Sequence, residues 1–210
     1  MNAISTDKIK ELIVQAKSMA NSGHPYLDKR WNSDIRYQRP YYRFCMLLAR
    51  EVKPSIIVEL GIDTGMCCGH WAFGCPTANV YGIDVHKDGE EPSIKCVQMA
   101  EQFSNFHYLR GWTWDKVKNI AALNKPIDVL YIDSWHEFDY FARDWNDYAP
   151  YINKSTIVMV DDLHMVGPAY RALPGVKYVD TSMNPTIPLG FILEPDNSYR
   201  FEHKHRDYMP

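Results

Sequence analysis

The side chains best placed to do chemistry together are three carboxylates, Asp133, Asp161 and Asp162. The first closes the run Ile127-Asp128-Val129-Leu130-Tyr131-Ile132-Asp133. The other two close Ser155-Thr156-Ile157-Val158-Met159-Val160-Asp161-Asp162. Each run is apolar and β-branched over the length of a buried strand. If the two are neighbouring parallel strands, their ends lie about 5 Å apart. The acids then converge beyond the carboxyl edge of the sheet, where open parallel sheets bind their ligands. Three carboxylates there suit a hard divalent cation, magnesium first, because it accepts carboxylate and water and needs few protein ligands. An Asp at a strand end also caps a following helix well, and one of Asp161 and Asp162 could do only that. His136 and His164 flank the acids, and a neutral imidazole can accept a proton from an attacking hydroxyl. The alternative for each is an ordinary loop histidine.

Strands and helices must alternate to hold these groups. Ile9, Leu12, Ile13 and Ala16 repeat at helical spacing and mark an amphipathic first helix ending before Asn21-Ser22-Gly23. A polar, aromatic-rich linker follows. Pro40 then opens a second helix with Tyr41, Phe44, Leu47 and Leu48 on one face, and Pro54 closes it. From residue 55 strands are expected at 55–60, 79–84, 106–110, 127–133 and 156–161, with helices at 68–73, 91–103, 114–123 and 138–151 between them. Such alternation implies a parallel sheet with right-handed crossovers and helices on both faces. After a short helix at 166–173, strands at 176–180 and 189–193 are joined by a Pro-containing loop without a helix, which fits an antiparallel pair at one edge. The fold class is therefore α/β, a Rossmann-like three-layer sandwich. Residues 1–54 read as an N-terminal helical extension packing on the sheet, and residues 55–210 as the ligand-binding domain.

Composition narrows the partners. The chain has 210 residues, 46% of them hydrophobic, enough for one α/β domain with a sizeable core. A net charge of −3 gives no basic footprint, so nucleic acid is not an expected partner. No run reaches the ~18 apolar residues of a membrane span, and Met1 to Ser5 do not begin a signal peptide, so the chain reads as soluble and cytoplasmic. Five cysteines, Cys45, Cys67, Cys68, Cys75 and Cys96, form no CxxC pair and read as reduced thiols rather than a disulfide framework or zinc site. His203 and His205 in the polar tail read as solvated. Trp31, Tyr37, Tyr41 and Tyr42 either form a lid over substrate or pack the second helix on the sheet, packing being the expectation for Tyr41. The first helix and its linker either cover the site or pair with another subunit in a homo-oligomer.

The first strand delivers Glu59-Leu60-Gly61-Ile62-Asp63-Thr64-Gly65. Gly61 and Gly65 permit a tight turn and close approach of a ligand. The dinucleotide fingerprint would need glycines at 61, 63 and 66, but positions 63 and 66 are Asp and Met, which disfavours a pyrophosphate. Asp84 ends the second strand at a spacing from Gly61 that suits ribose hydroxyls. Glu59 suits a ligand with an amino or sulfonium charge better than one carrying phosphates.

These residues resemble a known family. Val58-Glu59-Leu60-Gly61-Ile62-Asp63-Thr64-Gly65, Tyr81-Gly82-Ile83-Asp84, Ile132-Asp133-Ser134-Trp135-His136 and Val160-Asp161-Asp162 look like class I S-adenosylmethionine-dependent methyltransferases. More narrowly they are similar to the small metal-dependent O-methyltransferases, a group that includes macrolide sugar methyltransferases and cephalosporin hydroxylase-like proteins. The resemblance covers about residues 55–193 and implies a seven-stranded sheet with the last strand antiparallel. It implies that Glu59, Gly61 and Asp84 contact S-adenosylmethionine, Asp84 at the ribose. With the rest of the turn and the strand ends, the candidate cofactor contacts are Glu59, Gly61, Asp63, Gly65, Asp84, Trp112 and Asp133, with core packing the alternative for Trp112. The sequence departs from the family at Met66-Cys67-Cys68-Gly69, where small hydroxyl-bearing residues are expected, and at Trp135, where the family often has a small or acidic residue.

The expected function is methyl transfer to a hydroxyl of a small molecule or sugar, with a cation on Asp133, Asp161 and Asp162 and with His136 or His164 as base. Two alternatives stand beside it: a nicotinamide-dependent oxidoreductase on the same architecture, and a non-catalytic binding protein on a methyltransferase scaffold.

Overall fold

Seven strands, each short and mostly apolar, form one sheet in a computed structural model of the chain, which describes residues 4–35 and 38–202. They are β1 (Ile56–Leu60), β2 (Asn79–Asp84), β3 (Phe106–Arg110), β4 (Val129–Ile132), β5 (Ile157–Val160), β6 (Val176–Asp180) and β7 (Leu189–Leu193). The order is β3-β2-β1-β4-β5-β7-β6. Only β7 runs against its neighbours, pairing antiparallel with both β5 and β6. The α/β expectation therefore holds, including the antiparallel last strand. Every residue of β1, β4, β5 and β7 is buried, which is why these runs, Glu59 of β1 apart, are apolar rather than alternating.

The helices are α1 (Thr6–Ser18), α2 (Pro25–Ser33), α3 (Pro40–Val52), α4 (Met66–Gly74), α5 (Glu91–Gln102), α6 (Thr113–Ala121), α7 (Phe138–Tyr148) and α8 (Leu163–Ala172). One core joins α1, α3, α4 and α5 to the sheet face bearing Ile57, Val129, Tyr131 and Met159. The other joins α6, α7 and α8 to the face bearing Val58, Leu130, Ile132 and Val160. Among the described residues no helix is long and apolar enough to cross a membrane.

Helix α2 corrects the expectation of a linker between the first helix and Pro40. It buries only Leu27 and Arg30, so it shows no apolar stripe; Pro25 opens it at the first turn. Arg30 donates from Nη1 to the Thr64 carbonyl over 3.1 Å, tying α2 to the loop after β1. Tyr37, His203 and His205 lie outside the described residues.

Register aligns the working ends of four strands. Leu60 pairs with Ile83 and with Ile132, and Ile132 pairs with Val160. The next residue on each strand, Asp84, Gly61, Asp133 and Asp161, therefore falls on one rung across the carboxyl edge. The order reverses between β1 and β4, which opens a crevice there.

Candidate active site

Gly61 makes the crevice possible. Its φ is +79°, and a Cβ there would sit 2.2 Å from the Asp133 carbonyl oxygen, so only glycine lets the first turn pass so close to the end of β4. Asp84 fixes the same turn: its Oδ2 accepts the N–H groups of Ile62 (2.8 Å) and Asp63 (3.0 Å), while Oδ1 accepts that of Val85 (2.7 Å). Burial works against its charge, but His86 and these donors outweigh it and hold the carboxyl below its ordinary value.

Two cavities lie at the edge. The larger, of 560 Å³, runs from Gly61, Asp63 and Asp84 past Trp112 to Asp133 and His136. One wall is aromatic: Trp112 stacks on Trp114 at 4.6 Å and 10°, and Trp135 and Tyr140 complete it. The smaller, of 210 Å³, lies under α3, lined by Arg39, Tyr41, Tyr42, Glu59 and Asp161 among others. Asp63, Asp133 and His136 line both, so the cavities meet at these side chains.

At the junction, His136 Nε2 stands 2.8 Å from Asp162 Oδ2 and 3.6 Å from Asp133 Oδ1. Asp162 reaches this position from a left-handed backbone at φ 51°, ψ 41°, directly before α8, a strained conformation of the kind found at functional sites. His164 approaches the other oxygen of Asp162 at 3.5 Å and is exposed. Hydrogen bonds to Asp133 and Asp162 raise His136 to about 10. Burial and the Asp161 charge push Asp133 well above the carboxylate range, and burial raises Asp161 to about 6. Asp162 stays below its ordinary value because His136 overcomes the effect of burial.

Asp133, His136 and Asp162 bring one potential ligand atom each within 4.8 Å of one another, and oxygen and imidazole donors in that number fit a divalent cation. Asp161 is outside this group: its Oδ2 accepts from the Tyr131 hydroxyl at 3.3 Å. Glu59 lines only the smaller cavity, 1% exposed, and burial raises it to about 8 against a thiol bond from Cys68 at 3.2 Å. Gly65 lines neither cavity; it turns the chain into α4 at φ 72°. All five cysteines are buried and free. Tyr41 and Tyr42 are both packed in the core and set in the wall of the smaller cavity, while Arg43 covers the ring of Trp31 at 3.6 Å.

Several lining residues had no signal in the sequence. Trp114, Tyr140 and Asp144 sit on helices that the sequence marks only by their alternation with strands, and Arg39 precedes the helix opened by Pro40. The Trp-x-Trp spacing of 112 and 114 was the one cue available.

A sheet of this order, with its ligand crevice between β1 and β4, defines a Rossmann-like methyltransferase architecture. The chain belongs to the family described as methyltransferase domain, which matches residues 58–163. An uncharacterized protein, R132, of Acanthamoeba polyphaga mimivirus is 25% identical over 127 residues, 58% of each chain; this chain thus spans well under two thirds of that relative. Among solved structures, the O-methyltransferase TomG of Streptomyces achromogenes, involved in tomaymycin synthesis and solved with S-adenosylmethionine, superposes with a TM-score of 0.62 at 12% identity over 90% of this chain and 99% of its own. An O-methyltransferase of Bacillus cereus in complex with S-adenosylhomocysteine gives 0.58 at 12% identity over 89% of each.

Proposed function

We propose that the protein transfers a methyl group from S-adenosylmethionine to a hydroxyl of a small molecule or sugar, with a divalent cation assisting. The observation that carries this reading is the junction of two unequal cavities at Asp133 and His136. The larger has the shape and aromatic wall for an adenosyl group, with Asp84 near the ribose, while the smaller suits a compact acceptor. Membership of the methyltransferase family, and a first turn lacking the dinucleotide glycines, favour this over nicotinamide chemistry.

When bound, the sulfonium supplies an already activated methyl group, and a cation on the carboxylates lowers the pKa of an acceptor hydroxyl. Asp133 and Asp162 are the carboxylates that would hold that cation, with neutral His136 offering a nitrogen, while Asp161 accepts from the Tyr131 hydroxyl. The chain's own task is alignment and proton removal. Without the cation, His136 donates from Nε2 to Asp162 instead. His164 lines neither cavity; with His136 on the cation, it is the remaining imidazole beside Asp162 and the proposed proton acceptor. Arg39, Tyr41 and Tyr42 position the acceptor. The reading includes action in the cytoplasm.

The test is formation of S-adenosylhomocysteine from S-adenosylmethionine over a panel of hydroxylic acceptors, with magnesium and with chelator. Cation-dependent product supports the proposal; product at full rate in chelator removes the metal from it. Failure to bind either adenosyl compound, with stabilisation by NAD instead, would favour the nicotinamide alternative.

A further inference from the structure

Asp144 on α7 is 2% exposed, yet it lies against the larger cavity. Its two oxygens are divided between two loops: Oδ1 accepts from the Thr113 hydroxyl and Oδ2 from the Ser134 hydroxyl. Thr113 opens α6 directly after Trp112, at the end of the loop after β3, and Ser134 precedes Trp135 in the loop after β4. Strands β3 and β4 are not neighbours; β2 and β1 stand between them, so the two loops start about 14 Å apart.

Resting on the adenosyl reading of that cavity, we propose that Asp144 is a positioning residue that braces these loops across the crevice. It thereby sets Trp112 and Trp135 as the wall against which the planar base of the cofactor lies. The two tryptophan rings are 6.4 Å apart at 45°, and each is adjacent in the chain to a hydroxyl that Asp144 holds. The same helix adds three supports. Tyr148 donates to the Thr113 carbonyl at 2.8 Å, Arg143 lies over the Trp114 ring at 3.9 Å, and Tyr140 packs on Trp135 at 5.4 Å. Burial pushes Asp144 up to about 6 against the two hydroxyl donors, leaving it ionised at neutral pH and its bonds charge-assisted. A buried carboxylate carries a desolvation cost that an apolar side chain would avoid. Here that cost is offset by what an apolar side chain lacks, two directed bonds that fix one loop relative to the other.

Asp144→Asn keeps the shape and removes the charge. We expect calorimetry to show the Kd for S-adenosylhomocysteine rising tenfold or more and KM for S-adenosylmethionine rising with it. The value of kcat should stay within threefold and the melting temperature within a few degrees. The near-ultraviolet circular dichroism of the tryptophan stack should weaken. Thr113→Val and Ser134→Ala should each produce part of the same loss, and they decide the matter if Asp144→Asn does not fold. Unchanged cofactor affinity, within twofold, in the folded variants overturns the brace while leaving the methyltransferase reading intact. Absence of binding to the unmodified protein instead refutes that reading and the brace with it.

Discussion

His136 donates from Nε2 to Oδ2 of Asp162 over 2.8 Å, linking the loop after β4 to the residue that precedes α8. The contact lies at the corner where the two cavities meet. Asp133 and Asp162 push His136 up to about 10, while His164 approaches the far oxygen of Asp162.

Replacing each histidine by glutamine separates their roles. His164→Gln should lower kcat by roughly 10²–10⁴, the range of a lost general base, with the Kd for S-adenosylhomocysteine unchanged. His136→Gln should lower activity less and alter its cation dependence. The reverse ranking in steady-state kinetics would move the base to His136.

Asp133 belongs to both cavities, so its loss should be felt in turnover rather than in folding. Asp133→Ala is expected to abolish cation-dependent methyl transfer while cofactor affinity stays within about threefold. Retained activity, with the same response to chelator as the unmodified protein, would show that the cation is held elsewhere.

Gly61 and Gly89 share a φ of +79°, but a Cβ at Gly89 meets nothing within 4 Å, whereas one at Gly61 strikes the backbone of Asp133 and Ser134. Thermal and denaturant unfolding should show a cost of about 1 kcal/mol for Gly89→Ala, the backbone penalty alone. For Gly61→Ala the cost should exceed about 4 kcal/mol, or no folded protein should be recovered. Equal costs would mean that the close approach of β1 and β4 is easily relieved.

His70, wholly buried on α4 with Nδ1 2.8 Å from the Met66 carbonyl, is pushed down from 6.5 to about 4 by burial. The unfolded chain takes up this proton at a higher pH than the native state. Stability therefore falls as pH drops from about 6.5 to about 4, by up to about 3 kcal/mol, and is unaffected by this group above that window. His70→Gln should flatten the dependence of unfolding free energy on pH there; an unchanged slope would show that carboxylates account for it.

Much of this architecture was legible because a doubly covered parallel sheet imposes apolar runs, broken in β1 by Glu59, and those of β1, β4 and β5 each end in a glycine or an acid. Helix α2 was not, since it buries two residues and draws its order from Arg30 on the Thr64 carbonyl and from Asp28 on the Ser22 and Gly23 amides. Asp84 stood at the expected strand end, but its grip on the Ile62 and Asp63 amides depends on the register of β1 with β2. The brace at Asp144 joins residues 31 and 10 positions away. A carboxylate on an amphipathic helix carries no mark of such a bond until the fold brings its partners to it.

The most direct measurement is a crystal structure with S-adenosylhomocysteine and manganese, with anomalous scattering recorded for the metal. The adenosyl group should lie in the larger cavity against Trp112 with its ribose near Asp84, and an anomalous peak should be bound by Asp133 and Asp162. An adenosyl group lying elsewhere, or a metal peak away from these carboxylates, would contradict it.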